Sequence, residues 1–234
     1  MQSLVRYELR DDVATLWMDD GKANVMSVAM LAALNEALDR AEKQAKVVVL
    51  YGREGSFSGG FDLSVFKRGG PEVLTMLEAG MRLCARLVEY PLPVIAACTG
   101  HAVALGAFLL LSCDLRIGVN AGARFHINEV RNGMTLPHLT LEICRERLAP
   151  AQLHTATTLG LPFTPASALA AGFVDELVPA YAMQESVLRY CADLLTVDTK
   201  SFAINKRRVN AKVIQAMAVA IEEDIAEWKA LANI

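Results

Sequence analysis

Features that would assign a protein class at once are scarce in this sequence of 234 residues. No uninterrupted apolar run approaches the roughly 20 residues that a bilayer-spanning helix needs, so no membrane association is predicted, although 53% of the residues are hydrophobic. The formal net charge is only −3, which gives no basic field that would gather nucleic acid. The first residues lack the basic, apolar and small-residue order of a secretory signal, and a cytoplasmic protein is expected.

Two kinds of binding motif are also missing. The five cysteines show no CxxC spacing and no clustering with histidine, so buried reduced thiols are expected rather than disulfides or a metal site. No glycine-rich stretch matches GxxxxGK[ST] or GxGxxG, which argues against nucleotide hydrolysis and against a Rossmann cofactor site. We therefore expect no permanently bound cofactor.

What is present is an alternation of strand and helix patterns, which predicts an α/β fold. The predicted strands are VATLWM (13–18), KVVVLYG (46–52), PVIAACTG (93–100) and LRIGV (115–119). Helices are predicted after an N-cap at Ser27, from Pro71 to Tyr90, and over ALGAFLLLSCD (104–114). Beyond residue 137 the pattern is mostly helical, with segments near 139–148, 150–159, 165–171, 180–195 and 201–232 and one extended stretch at 173–178. We expect an α/β core over residues 1–180 and a C-terminal helical region over 181–234, within one structural unit.

Two glycine-rich turns follow predicted strands. In SFSGGFDLSVF (56–66), Gly59 and Gly60 allow a sharp turn that leaves the amide of Phe61 free to meet a ligand. In GHAVALGAFLLLSCD (100–114), small residues precede a helix whose first amides have no partner within the helix. Each turn alone is equally compatible with a purely structural role, closing a strand–helix unit.

Four motifs in order resemble the crotonase superfamily, the enoyl-CoA hydratase/isomerase family. They are GKANVMS near the start, FSGGFDL at the first turn, TGHAVALGAFLLLSCD at the second, and TPASALAAGFVDELV at 164–178. The resemblance covers nearly the whole chain. It implies a spiral of ββα units with a helical C-terminal region that covers the ligand and packs on a neighbouring subunit. It also implies a homotrimer or dimer of trimers and a small-molecule acyl-CoA thioester as substrate.

The resemblance assigns an oxyanion hole to the amides of Phe61 and Leu105. Removing a proton beside a thioester places negative charge on the thioester oxygen, and two preorganised amides stabilise that charge as it develops. Leu105 stands where the family usually has glycine, a change that keeps the backbone N–H.

The resemblance also points to one catalytic acid. Hydratases of this family use two glutamates; the first position is Phe108 here, and the second is Glu129 in FHINEV (125–130). A phenyl ring cannot exchange protons. One glutamate facing an oxyanion hole suits a double-bond shift, in which the same carboxyl removes a proton and returns it elsewhere. The pattern is most similar to that of Δ3,Δ2-enoyl-CoA isomerases.

Other interpretations of these residues stay open at this point. Glu129 is alternatively a loop carboxylate that pairs with Arg124 or Arg131, or one that caps the following helix. His126 is a candidate for the acyl pocket and equally a structural histidine. Met81, on the helix after Pro71, is a candidate for the acyl pocket but also fits an apolar core.

The resemblance further suggests contacts for the coenzyme A part of the ligand. Lys22 and Ala23 in the GKAN segment match the adenosine and phosphate region, and Lys206 in NKRRVNAK (205–212) is a candidate phosphate contact. The alternative for Lys206 is an ordinary cationic helix face.

Three functions are therefore predicted in order of preference. The first is a Δ3,Δ2-enoyl-CoA isomerase. The second is an enoyl-CoA hydratase or another thioester-enolate enzyme of this superfamily, a hydrolase or a decarboxylase. The third is an acyl-CoA-binding protein without activity. The residues do not define the acyl chain, and a fold does not choose among these reactions.

Overall fold

The computed structural model describes residues 3–231. Its strands are β1 Val5–Arg10, β2 Val13–Met18, β3 Val25–Met26, β4 Val47–Tyr51, β5 Gly55–Ser58, β6 Gly60–Phe61, β7 Val94–Cys98, β8 Gly100–Val103, β9 Leu115–Val119, β10 Phe125–His126 and β11 Glu176–Val178. Its helices are α1 Val28–Gln44, α2 Leu63–Arg68, α3 Pro71–Glu89, α4 Leu105–Leu111, α5 His138–Arg147, α6 Pro150–Thr157, α7 Pro165–Ala171, α8 Met183–Leu194, α9 Thr199–Val209 and α10 Ala211–Leu231. Short 3-10 turns occupy Val130–Asn132 and Ala180–Ala182.

The predicted α/β fold is confirmed. A sheet of six strands runs in the order β1-β2-β4-β7-β9-β11, and all neighbours pair in parallel except β1 and β2. A smaller parallel sheet runs β10-β8-β5, and β3 pairs with β6. The pairs β4 and β5, β7 and β8, and β9 and β10 each place one strand in the large sheet and the next in the small sheet before a helix follows. The chain thus winds as a spiral of ββα units.

Local sequence chemistry explains the main boundaries. The Ser27 hydroxyl accepts a hydrogen bond from the amide of Met30 at 3.2 Å and so begins α1, as predicted. Pro71 occupies the first turn of α3. All residues of β4 and of β7 are buried, as their apolar sequences require for strands covered on both faces.

The short strands β3, β5, β6, β8 and β10 were not predicted from the sequence, and two larger differences concern β1 and the C-terminal helices. Strand β1 was not predicted; it forms a hairpin with β2 through Asp11 and Asp12, whose φ angles are 49° and 62°. The single helix predicted over 201–232 is wrong. The helical segment is interrupted at Asn210, whose side-chain amide donates to the carbonyl of Val88 at 3.0 Å. Residue 232 of that prediction lies outside the described residues, as do residues 1–2 and 232–234 of the two predicted regions.

Hydrophobic packing forms two layers that flank the large sheet. The larger core lies between the sheet and helices α1, α3, α4, α5 and α10, and the smaller one lies between the sheet and α8. Across residues 3–231, no helix combines the length and the apolar character that crossing a bilayer requires.

Candidate active site

The two glycine turns meet in space. A Cβ atom built on Gly60, which has a φ of 90°, would lie 2.7 Å from the Cβ of Ala104 and 3.3 Å from the amide nitrogen of Leu105. A Cβ built on Gly106 would lie 2.4 Å from the carbonyl oxygen of Ser58. Both positions require glycine, because only the absence of a side chain allows the two turns to pack this closely.

Ala104 carries backbone strain at this junction. Its φ of 50° and ψ of −126° are rare for a residue with a side chain. Ala104 immediately precedes α4, and Leu105 begins that helix, so the amide of Leu105 has no carbonyl one turn earlier to bond. No acceptor for this amide occurs within residues 3–231. The strained turn therefore presents the Leu105 N–H beside Gly60.

The Leu105 side chain is fully buried and points away from the turn, towards α3. A Cβ built on Gly80 would lie 2.8 Å from Cδ2 of Leu105 and 2.6 Å from two ring atoms of Phe61. Gly80 therefore makes room for both side chains. The replacement of the family's usual glycine by Leu105 is accommodated within the core and not at the amide.

A cavity of about 430 Å³ opens beside these turns. Its wall is mostly apolar. The first turn and helices α2, α3 and α4 contribute Phe61, Leu63, Phe66, Leu77, Met81 and Phe108 to it. The loop from β10 to α5 and the end of α10 complete it. A concave apolar cavity with few polar groups is the usual form of a small-molecule site.

Glu129 is the buried carboxylate of this cavity. The residue is only 8% exposed, and its Oε2 atom has no hydrogen-bond partner among residues 3–231. The backbone holds it in place, because the carbonyl of Glu129 accepts hydrogen bonds from the amides of Asn132 at 2.9 Å and Met134 at 3.0 Å. A buried acceptor without a partner is costly and is found where a ligand completes the site.

Burial raises the pKa of Glu129 to about 7, while the neighbouring backbone amides of Asn128 and Glu129 act in the opposite direction. A carboxyl group with this pKa is populated in both its acid and its base form near neutral pH. It can therefore accept and return a proton at comparable cost.

The alternative roles considered for Glu129 are wrong. Within residues 3–231 it forms no ion pair, and its side chain does not cap the 3-10 turn that follows. Arg131 instead donates from Nε to the carbonyl of Gly160. Arg124 lines a different groove.

His126 lies outside the wall of the cavity. Its Nε2 atom is 2.9 Å from the carbonyl oxygen of Gly160, the same oxygen that Arg131 contacts. These contacts tie β10 to the loop at residue 160. The geometry of His126 is that of a structural histidine.

Lys22 and Ala23 line a second groove, of about 470 Å³. It shares Gly59 with the cavity that holds Glu129, so the two spaces are adjoining. Arg124 and His101 also line this groove. Lys22 and Arg124 bring positive charge to this groove, and Glu54 brings one negative charge.

Lys206 lies apart from both spaces. Its ammonium group donates to Asp114 Oδ2 at 2.7 Å and to the carbonyl of Leu87 at 3.0 Å, and its side chain is 4% exposed. Burial lowers the pKa of Lys206, and the Asp114 carboxylate acts against that shift. Within this chain Lys206 is an internal ion-pair partner and not part of a surface face.

Several residues of the cavity were not predicted from the sequence. Asn128 lines it next to Glu129 and has a buried side-chain oxygen without a partner, and Glu227, Trp228 and Leu231 of α10 line it from the C-terminal side. Its position next to Glu129 in the sequence could have identified Asn128 as a residue of the cavity. Nothing in the spacing of α10 distinguishes a cavity wall from an ordinary buried helix face.

Comparison with known proteins gives the family. The sequence profile of the family described as enoyl-CoA hydratase/isomerase matches residues 8–233. The chain belongs to this family. The fold is accordingly the crotonase fold, and the protein is an enzyme of the enoyl-CoA hydratase/isomerase family, which acts on acyl-CoA substrates.

Three relatives illustrate the range of this family. A solved structure of a Mycobacterium tuberculosis protein, which is called an enoyl-CoA isomerase in this structure and a probable enoyl-CoA hydratase in another, superimposes with a TM-score of 0.92 at 37% sequence identity, covering 97% of this chain and 100% of that one. A putative enoyl-CoA hydratase from Thermus thermophilus is 32% identical, covering 94% of this chain and 87% of the relative. Human mitochondrial enoyl-CoA delta isomerase 1 is 25% identical, covering 95% and 75%.

The structure brings Glu129, Phe61, Met81 and Phe108 together around one cavity, with the Leu105 amide beside it. It places Lys22 and Ala23 in the adjoining groove, and it places His126 and Lys206 elsewhere. In a family whose members carry both hydratase and isomerase names, these contacts bear directly on the reaction.

Proposed function

We propose that this enzyme is a Δ3,Δ2-enoyl-CoA isomerase, with Glu129 as its acid/base and the amides of Phe61 and Leu105 as its oxyanion hole. The observation that carries the proposal is the single buried, unpaired carboxylate of Glu129 in a cavity whose other catalytic position is the phenyl ring of Phe108.

The mechanism needs one carboxyl group and no water. Glu129 in its ionised form removes a proton from C2 of a 3-enoyl thioester. The resulting dienolate carries its negative charge on the thioester oxygen, where the amides of Phe61 and Leu105 stabilise it. The protonated Glu129 returns the proton to C4, and the double bond then lies between C2 and C3, in conjugation with the thioester. No atom is gained or lost.

Phe108 supports isomerisation over hydration. Hydration requires a water molecule held and deprotonated beside the double bond, and the side chain of Phe108 is apolar and only 1% exposed. A dry environment also raises the basicity of Glu129, which favours proton abstraction from carbon.

The cavity contains a second carboxylate, Glu227, whose setting differs from that of Glu129. The Glu227 side chain is 58% exposed and accepts a contact from Nε2 of His138 at 3.1 Å. An exposed, paired carboxylate on the outer wall is a poor proton donor for the buried reacting carbons. We therefore assign Glu227 no role in proton transfer.

The adjoining groove suits the coenzyme A part of the substrate. Lys22 and Arg124 supply positive charge for phosphate groups, and Ala23 borders the shared residue Gly59. In this arrangement the thioester lies at the junction of the two turns, and the acyl chain extends into the apolar cavity. The oligomeric assembly and the cytoplasmic location stay predictions.

The test is a product analysis of the purified protein. A 3-enoyl-CoA should convert to the conjugated 2-enoyl thioester, and a 2-enoyl-CoA incubated in water labelled with heavy oxygen should acquire no label. Incorporation of label would instead establish the hydratase reaction. Inertness towards both thioesters, with acyl-CoA binding retained, would favour the binding protein.

A matched pair of variants tests the role of Glu129. Glu129→Gln removes the acid/base and should lower turnover about 10³-fold, while binding of a saturated acyl-CoA is retained. Glu36→Gln is the control, because Glu36 is an exposed residue of α1, a helix that contributes no residue to the wall of the cavity. Full turnover in Glu129→Gln would exclude the proposed mechanism.

A further inference from the structure

Helix α5 begins without a cap of its own. Its N-cap residue, Pro137, makes no side-chain hydrogen bond to the first turn. The missing acceptor comes from Asp224 on α10, whose Oδ1 accepts from the amide of His138 at 2.7 Å and whose Oδ2 accepts from the amide of Leu139 at 3.1 Å. A helix far along the chain therefore caps α5.

This contact is buried and specific. Asp224 is 1% exposed, and its two oxygens each meet one of the free amides at a helix N-terminus, where negative charge is favourable. A second contact joins the same helices, because Nε2 of His138 lies 3.1 Å from Oε1 of Glu227. Together they fix where α10 lies along α5.

The same stretch of α10 forms part of the cavity. Glu227, Trp228 and Leu231, which we call the α10 wall, line it. Trp228 lies four residues after Asp224, so both side chains project from the same side of the helix. The position of the α10 wall therefore depends on the capping contact.

The α10 wall faces the acyl part of the cavity. Helix α10 packs against α3 and α5, whereas the candidate oxyanion donors belong to β6 and α4. The coenzyme A groove joins the cavity at Gly59, so an acyl chain runs from that end towards Met81 of α3 and Trp228 of α10.

We propose that Asp224 is a positioning residue, which holds the α10 wall against the distal part of the acyl chain and so gives the enzyme its preference for longer acyl thioesters. The proposal rests on the proposed isomerase function for its kinetic test. On this proposal, a ten-carbon acyl group is expected to reach the α10 wall, and a four-carbon group is expected to end short of it.

The kinetic test compares 3-enoyl-CoA substrates of four and ten carbons. In Asp224→Ala we expect KM for the ten-carbon substrate to rise about tenfold with kcat nearly unchanged, because binding energy common to substrate and transition state is lost. Both constants for the four-carbon substrate should stay at wild-type values. An equal loss at both lengths, or no loss at ten carbons, would overturn the proposal.

Three further variants separate positioning from general damage. Asp224→Asn keeps one acceptor oxygen and should give an intermediate rise in KM. Trp228→Ala removes the wall itself, leaves the cap intact and should reproduce the chain-length effect. Glu222→Gln, an exposed charge change on the same helix, should change neither constant. Wild-type selectivity in Trp228→Ala would contradict the proposal even if Asp224→Ala fails to fold.

A binding experiment distinguishes failure of this proposal from failure of the isomerase assignment. The chain has two tryptophans, and Trp17 stacks on Tyr51, away from the cavity. In a Trp17→Phe background, saturated decanoyl-CoA should change the fluorescence of Trp228 and butanoyl-CoA should not. In Asp224→Ala, the affinity for decanoyl-CoA should fall about tenfold. This result would stand for an enzyme without isomerase activity; an unresponsive Trp228 would overturn the positioning role.

Discussion

Two regions of the molecule bury charged side chains, and they treat them in opposite ways. In the cavity, Glu129 is 8% exposed, and its Oε2 atom has no hydrogen-bond partner in the described part of the chain. On α9, Lys206 is 7% exposed and lies 2.7 Å from Asp114, and on β9, Arg116 is 5% exposed and lies 2.6 Å from Asp175. We call these two pairs the α9 ion-pair cluster.

The difference shows which buried charge serves chemistry. Taking a charge out of water is costly, and in the α9 ion-pair cluster each charge is offset by an opposite charge and by hydrogen bonds. Glu129 has no such offset, so its proton affinity rises instead and its pKa reaches about 7. A paired charge holds elements together, whereas an unpaired carboxyl group in a cavity is ready to exchange a proton.

The largest expected effect comes from disrupting one ion pair of the α9 ion-pair cluster. Lys206→Met removes the ion-pair partner that lies 2.7 Å from Asp114, although Arg147 still interacts electrostatically with this carboxylate. The free energy of unfolding should fall by about 3 to 4 kcal/mol, towards the lower end for a buried pair because Asp114 is one-fifth exposed. Urea unfolding measures the loss. KM for the acyl-CoA should not change.

A double variant provides the control for this effect. Lys206→Met with Asp114→Asn removes both charges and should recover a large part of the lost stability, since no uncompensated charge remains. A large rise in KM with unchanged stability would instead return Lys206 to the role of a phosphate contact.

The next effect concerns how the ionisation of Glu129 changes the stability of the protein with pH. The carboxyl group of Glu129 has a pKa of about 7 in the folded protein and an ordinary value of 4.5. The neutral carboxyl group therefore makes its full contribution to the free energy of unfolding below pH 4.5, and this contribution is lost as pH rises to about 7. Glu129→Gln cannot ionise and should exceed wild type by about 3 kcal/mol at pH 8.

Urea unfolding of wild type and Glu129→Gln at pH 4.5 and pH 8 measures this difference. The variants should be nearly equal at the lower pH. A stabilisation that is equal at both pH values would show that it does not come from ionisation of Glu129.

A smaller effect tests the turns that border the cavity. Gly60→Ala introduces a methyl group 2.7 Å from Ala104 at a φ of 90° and should displace the Leu105 amide. Losing one oxyanion donor typically lowers kcat about 10²-fold or more, so we expect about 10²-fold. Gly122→Ala is the matched control, because it adds the same methyl group at a φ of 72° with no atom within 4 Å. Equal activity of the two variants would remove the Leu105 amide from the mechanism.

The elements that local chemistry dictates could be predicted from the sequence. The apolar run of β4, the Ser27 cap and Pro71 each define an element boundary without reference to distant residues. Glu129 could be selected because its segment FHINEV resembles the second glutamate position of the crotonase superfamily. Its assignment as the catalytic base stays a prediction, but its burial in a cavity agrees with the motif.

The rest depended on partners that are distant in the chain. Lys206 belongs to a basic stretch whose sequence gives no sign that Asp114 lies beside it. The cap that Asp224 provides to α5 is equally invisible, because an acidic residue within a helix is usually exposed. Ala104 shows no local signal for a positive φ, since that strain is imposed by the packing of one turn on the other.

The last prediction is the pH dependence of catalysis, which compares the two regions in one measurement. If Glu129 acts as the base, kcat/KM for a 3-enoyl-CoA should rise with pH, about tenfold per unit well below its pKa, and level off above about 7. Lys206→Met should keep this profile, because the α9 ion-pair cluster does not touch the reacting atoms. A profile that levels off near 4.5 would show that Glu129 is hydrated in solution, and the contrast between an unpaired reactive charge and a paired structural one would then lose its physical basis.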